Sequence, residues 1–96
     1  MVEQNRFQAV PSPMHVLGIA LEQAIEREYG VPVGSRLNLE SVIRNIEGWV
    51  RQTREVLELL DERKHFHVIW MLRCNIQNYY EPALESAKAK LKQVAF

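Results

Sequence analysis

Between Leu39 and Leu60, seven residues recur at alternating spacings of four and three: Leu39, Ile43, Ile46, Val50, Thr53, Leu57 and Leu60. That spacing lays all seven along one stripe of an α-helix, where a strand would need alternation in twos. Val42, Trp49 and Val56, each seven apart, lie along the edge of the stripe and widen it. A helix with so broad an apolar face has to bury it against other helices. The rest of the chain is therefore read for segments able to supply that cover.

Three further segments qualify. Ser12-Pro13 reads as N-cap and first helical position, because proline loses nothing where the N–H has no helical partner. Met14, Leu17, Leu21 and Ala24 then form a core stripe, flanked by Val16, Ala20 and Ile25, up to Tyr29, with Gly30 as a left-handed cap. Val31-Pro32-Val33-Gly34-Ser35 cannot continue a helix. Asn38 is expected to cap the organising helix, with Leu37 and Val42 at the spacing of a hydrophobic staple. At Leu60-Asp61-Glu62-Arg63-Lys64 neither glycine nor proline marks a stop, yet a straight helix cannot fold back over its own stripe. A tight turn with Asp61 as the next N-cap is expected, followed by a helix from about Glu62 to Tyr80. Ile69, Leu72, Ile76 and Tyr79 would face inward there. Pro82 should kink or break that helix. Leu84, Ala87, Leu91 and Val94 form the stripe of the last segment.

The expected fold is thus all-α: a small bundle of three to four helices, the second and third forming a long antiparallel hairpin, the last kinked or broken at Pro82. Residues 1–11, polar and aperiodic apart from Phe7 and Val10, are expected to form a flexible N-terminal arm, and residues 12–96 a single helical domain. The acids support this, with eleven Glu against one Asp, since Glu is the better helix former. A chain of 96 residues has room for only a thin core, so a homodimer is expected.

Twelve basic and twelve acidic side chains cancel, leaving no global field to draw the chain to nucleic acid or membrane. Cys74 is the only cysteine, which excludes an intrachain disulfide and fits a reducing compartment. No signal-peptide pattern opens the chain and no apolar run approaches the roughly 20 residues of a membrane span. The expected location is the cytoplasm, with no membrane association.

Chemistry-bearing patterns are sparse. Cys74 and His67 share a helix face but lie two turns, about 10 Å, apart, so Cys74 is read as a buried inert thiol. His65 and His67 point about 200° apart on a helix and cannot chelate one ion. Glu62 and His65 do have the Glu-x-x-His spacing of di-iron bundles, which needs a second pair from a symmetric partner. Arg63, Lys64 and Arg73, with Phe66 and Trp70 among them, combine cations and aromatic rings as a nucleic-acid surface would. Zero net charge and the acidic Asp61-Glu62 weigh against that alternative. No catalytic motif and no cofactor signature is present.

What remains is the apolar surplus. Trp49, Val42 and Val56, with Phe66 and Trp70, are the candidate anchors of a protein-binding face. The expected function is a small intracellular regulator or adaptor, without catalytic activity, that binds itself and another, unidentified protein. Nucleic-acid binding through Arg63, Lys64 and Arg73 is the alternative, and a metal-binding bundle the third reading. Gly18 and Gly48, each costing about 1 kcal/mol in a helix interior, would be justified by close approach of another backbone.

Overall fold

A computed structural model describes residues 13–94, with burial defined from Val16 onward. Among these residues about 85% are helical and none is in a strand, so the protein is all-α. Helix α1 spans Pro13–Tyr29 and α2 spans Arg36–Leu59. Helix α3 spans Phe66–Asn75, a π-helical turn follows at Ile76–Tyr80, and α4 spans Glu81–Val94. Because Asn75, Ile76 and Glu81 all keep right-handed helical angles, α3, the π turn and α4 form one uninterrupted helical run. The described chain is therefore three rods. The expected arm at 1–11, Ser12 and the side chain of Met14 lie outside the described residues.

The first two rods start and stop for identifiable reasons. Helix α1 is described from Pro13 onward, and its expected cap at Ser12 lies outside the described residues. Gly30 closes it at φ 68°, its N–H donating to Glu26 O at 2.9 Å. That positive φ is what glycine adopts without a Cβ clash. The cap of α2 lies three residues earlier than the sequence suggests. Ser35, not Asn38, is the N-cap, and its Oγ accepts from Asn38 N at 3.3 Å. Asn38 is freed for another job and is fully buried. Its Nδ2 donates to Glu22 O at 3.0 Å and Val31 O at 3.2 Å, tying the α1–α2 connection to the last turns of α1. Leu37 is correspondingly exposed, and the expected staple with Val42 does not form.

The second connection also departs from expectation. Asp61 does act as a cap, but of a turn and not of a helix. Its Oδ1 accepts from Arg63 N, and its carbonyl from Lys64 N and His65 N. The chain needs those residues to reverse, so α3 begins only at Phe66. Pro82 does not break the third rod. Proline has no N–H to donate and its ring crowds the carbonyl four residues back, here Asn78. The widened π turn lies across that position, with Glu81 N donating to Ile76 O, so the backbone stays helical.

The core forms where the three rods meet. Ile25 of α1, Val42 and Ile46 of α2, and Ala83 and Ala87 of α4 are its buried members. Leu17, Leu21, Ile43, Trp49, Val50, Tyr80 and Leu84 pack around them, half-buried. Small residues on α4 let α1 and α2 approach it closely. Lys88 pairs with Glu47 and Glu81 with Arg54. One index rises by seven as the other falls by seven, so α2 and α4 run antiparallel. The segment that lies along α2 is thus α4, while α3 barely touches it.

Glycine does little at two of the positions flagged by sequence. A Cβ on Gly18 would meet only Ala83 Cβ at 4.0 Å, and one on Gly48 would meet nothing. No backbone approach requires either.

Candidate functional site

Helix α3 carries ten residues, Phe-His-Val-Ile-Trp-Met-Leu-Arg-Cys-Asn, with Arg73 its only side chain of fixed charge. Ile69 is buried, Leu72 half-buried, and Ile76 buried just beyond the helix. Their spacings of three and four make them one stripe, which is the inward face. Round the rest of the helix Phe66, His67, Val68, Trp70 and Met71 are all exposed, Phe66 and Trp70 together on one side and Val68 on the other, about 200° from each. Phe66 is 65% exposed and Trp70 63%. A helix apolar all round is normally buried all round. Here one face is covered and the other meets solvent.

The local folding explains why. Residues Leu60–His65 are used up in the Asp61 turn. The antiparallel register sets Arg54 beside Glu81, so α4 has covered α2 before the rod reaches α3. Helix α3 overhangs the core, and no other described element lies across its outer arc. At the same end of the molecule, Val56 and Leu59 of α2 are also exposed, Leu59 at 85%.

The surface around α3 is apolar with a single weak ion pair. Glu62, Phe66, Ile69, Trp70 and Arg73 line a shallow cavity of about 130 Å³. Arg73 Nη2 donates to Glu62 Oε1 at 3.4 Å, with both side chains mostly in solvent. A pair so exposed contributes little to stability, but it neutralises both charges at the rim. The rings of Phe66 and His67 meet edge-on at 5.7 Å.

The residues singled out by sequence therefore separate. Phe66 and Trp70 stand together on one free arc, one turn apart. Val42 is removed from the set: it is fully buried in the three-rod core, and no partner can reach it without unfolding the chain. Trp49 is half-buried, its ring 5.9 Å from that of Tyr80 and tilted by 47°. It closes the α2 side of the core. Val56 is exposed, one turn before Leu59.

The two chemical alternatives fare differently. Glu62 and His65 both lie in the turn before α3, so the helical spacing that would aim them at one ion is not formed, and Glu62 faces Arg73. Among the described residues no three His, Cys, Asp or Glu side chains converge as a metal site would require. Arg63 and Lys64 are exposed in the same turn, beside Asp61 and Glu62, while Arg73 is turned to Glu62. The three do not form a row of free cations. Cys74 is a half-buried free thiol. No helix among the described residues is long and apolar enough to cross a membrane.

Sequence reasoning missed two buried polar groups, Asn38 and Glu22. Glu22 lies between α1 and α4, its Oε1 accepting from Lys90 Nζ at 3.0 Å. A signal was present: Gly18, Glu22 and Ile25 are spaced four and three and so share the inward stripe of α1.

Against known proteins, no family model, no curated protein and no solved structure matches this chain. The residues and their arrangement carry the functional reading alone.

Proposed function

We propose that this protein acts by non-catalytic protein–protein association, as a small regulator or adaptor, with the outer face of α3 as its docking element. One observation carries the reading: a ten-residue helix with a single fixed charge leaves Phe66 and Trp70, one turn apart, in solvent on the same side. Contiguous apolar surface of this kind, rimmed by polar groups, marks an interaction site. Trp and Phe are also residue types on which binding energy concentrates. Phe66 and Trp70 are the anchors, and the slot between them over Ile69 is the natural seat for an apolar side chain of a partner.

Nucleic-acid binding draws less support. Electrostatic binding needs several free cations along a phosphate track, and Arg63, Lys64 and Arg73 are interleaved with Asp61 and Glu62.

Site-specific photocrosslinking in living cells tests the proposal. A photoreactive residue in place of Trp70 should capture protein, whereas the same residue in place of Arg51, on the outer face of α2, should not. Equal capture at both positions, or none at position 70, would overturn the assignment of α3.

A further inference from the structure

We infer that residues 7–12 fold back onto this chain's own surface and seat Phe7 and Val10 in a groove walled by Leu17, Trp49 and Tyr80, in place of the free arm that composition alone suggests. The groove is a different face from the outer side of α3, and the inference stands independently of the docking reading above.

The groove is the first argument. Two shallow depressions meet beside the early turns of α1 and share Leu17 and Tyr80 in their walls. One, of about 390 Å³, adds Trp49 and Thr53 of α2. The other, of about 240 Å³, adds Asn75 and Tyr79 of the third rod. No charged side chain lines either of them. Trp49 and Tyr80, whose rings lie 5.9 Å apart, are each only half-buried here.

Where the chain enters is the second argument. Gly18 lies over Ala83 and Glu22 pairs with Lys90, so both indices rise together and α1 runs parallel to α4. Residues before Leu17 therefore lead back across the π turn, toward Asn75. Pro13 precedes Leu17 by about one turn, or about 6 Å along the axis. Extended chain spans at most about 3.3–3.6 Å per residue, which gives Val10 a reach of about 10 Å from Pro13 and Phe7 about 20 Å. Both therefore reach the groove.

Chemistry is the third. Residues 7–12, Phe-Gln-Ala-Val-Pro-Ser, carry no charge and so suit the uncharged walls. Pro11 and Pro13 bias Val10 and Ser12 toward extended backbone, so this stretch has less freedom to lose on docking. The tether decides between occupants. A segment attached so close to its seat is presented at an effective concentration on the order of mM, which a second copy or an unrelated protein has to exceed.

The test uses the full chain with Trp49 as sole tryptophan, in a Trp70→Phe background. Shielding of Trp49 from acrylamide should be the same at every dilution. Phe7→Ser combined with Val10→Ser should shift its emission to the red and raise its quenching, with helix content unchanged by circular dichroism. Beside it, a photoreactive residue in place of Phe7 should crosslink within one chain, to the segment holding Trp49 and Thr53 or that holding Tyr79 and Tyr80, as located by mass spectrometry. A Trp49 indifferent to the double substitution overturns the inference. So does a crosslink that falls outside the groove, or one that joins two chains and makes the occupant the segment of a second copy. Should the double variant lose helix, the crosslink alone decides.

Discussion

Asn38 is the polar side chain on which the junction of α1 and α2 turns, and replacing it with aspartate gives a sharp prediction. The exchange keeps shape and volume but converts the Nδ2 donor, which serves Glu22 O and Val31 O, into an acceptor facing two acceptors. At neutral pH the new carboxyl has two options in this fully buried position. It can stay ionised and unpaired, which costs about 3–5 kcal/mol. Or it can take up a proton, which from an ordinary pKa near 3.9 costs about 4 kcal/mol at pH 7. Protonation restores one donor of two, so that route still loses one hydrogen bond of about 1 kcal/mol, and the ionised form loses both. Asn38→Asp should therefore destabilise the fold by roughly 4–5 kcal/mol at pH 7, most of what a domain of this size has. The pH dependence has a definite sign. Burial raises the folded-state pKa of the new carboxyl above its unfolded value, so the penalty is largest at high pH and shrinks as pH falls through the folded pKa toward 4. Asn38→Ala, which has no titratable group, should cost about 2 kcal/mol and show no such recovery. Urea denaturation of both variants at pH 7 and pH 4.5, referenced to wild type at each pH, measures this. An Asn38→Asp loss below about 1 kcal/mol, or one that grows on acidification, would refute the assigned role of Asn38.

Other outcomes follow from burial along α2. Val42→Ala should cost about 2–3 kcal/mol from lost transfer energy and the cavity left behind, and Val56→Ala less than about 0.5 kcal/mol, both read from urea midpoints. Trp49→Ala should lower stability by about 2–3 kcal/mol through loss of its packing on Tyr80, read from urea midpoints. Gly48→Ala should raise stability by up to about 1 kcal/mol, since a Cβ there meets open space, moving the thermal midpoint up by about 4–8 °C.

The helices were legible from local rules and their partnering was not. Spacing alone located α2, and Gly30 marked the end of α1, because those signals act within one or two turns. Asn38 was misjudged because a good capping residue and a good buried donor are the same residue; only the presence of Glu22 O and Val31 O decides between them. Asp61 was recognised as a cap, yet how many residues its turn consumes depends on where α4 must meet α2. Pro82 reads as a stop in any local scheme, and the π turn that accommodates it is a tertiary solution.

The candidate site shows the same division. Phe66 and Trp70 could be named from residue type, but their exposure depends on α3 overhanging the core. Val42, Trp49 and Val56 looked equivalent at spacings of seven. A straight helix drifts about 20° per seven residues, and the cover of α2 by α4 ends near Arg54, opposite Glu81. Hence Val42 is buried, Trp49 half-buried and Val56 exposed.

The central claim is that Phe66 and Trp70 stand open on α3 in the single chain, free for a partner. The most direct measurement is the fluorescence of Trp70 as sole tryptophan, in a Trp49→Phe background, with acrylamide quenching of the chain at high dilution. The account predicts a red-shifted, freely quenched Trp70. A blue-shifted Trp70 that stays shielded at every dilution would show that its own chain covers it and would contradict the account.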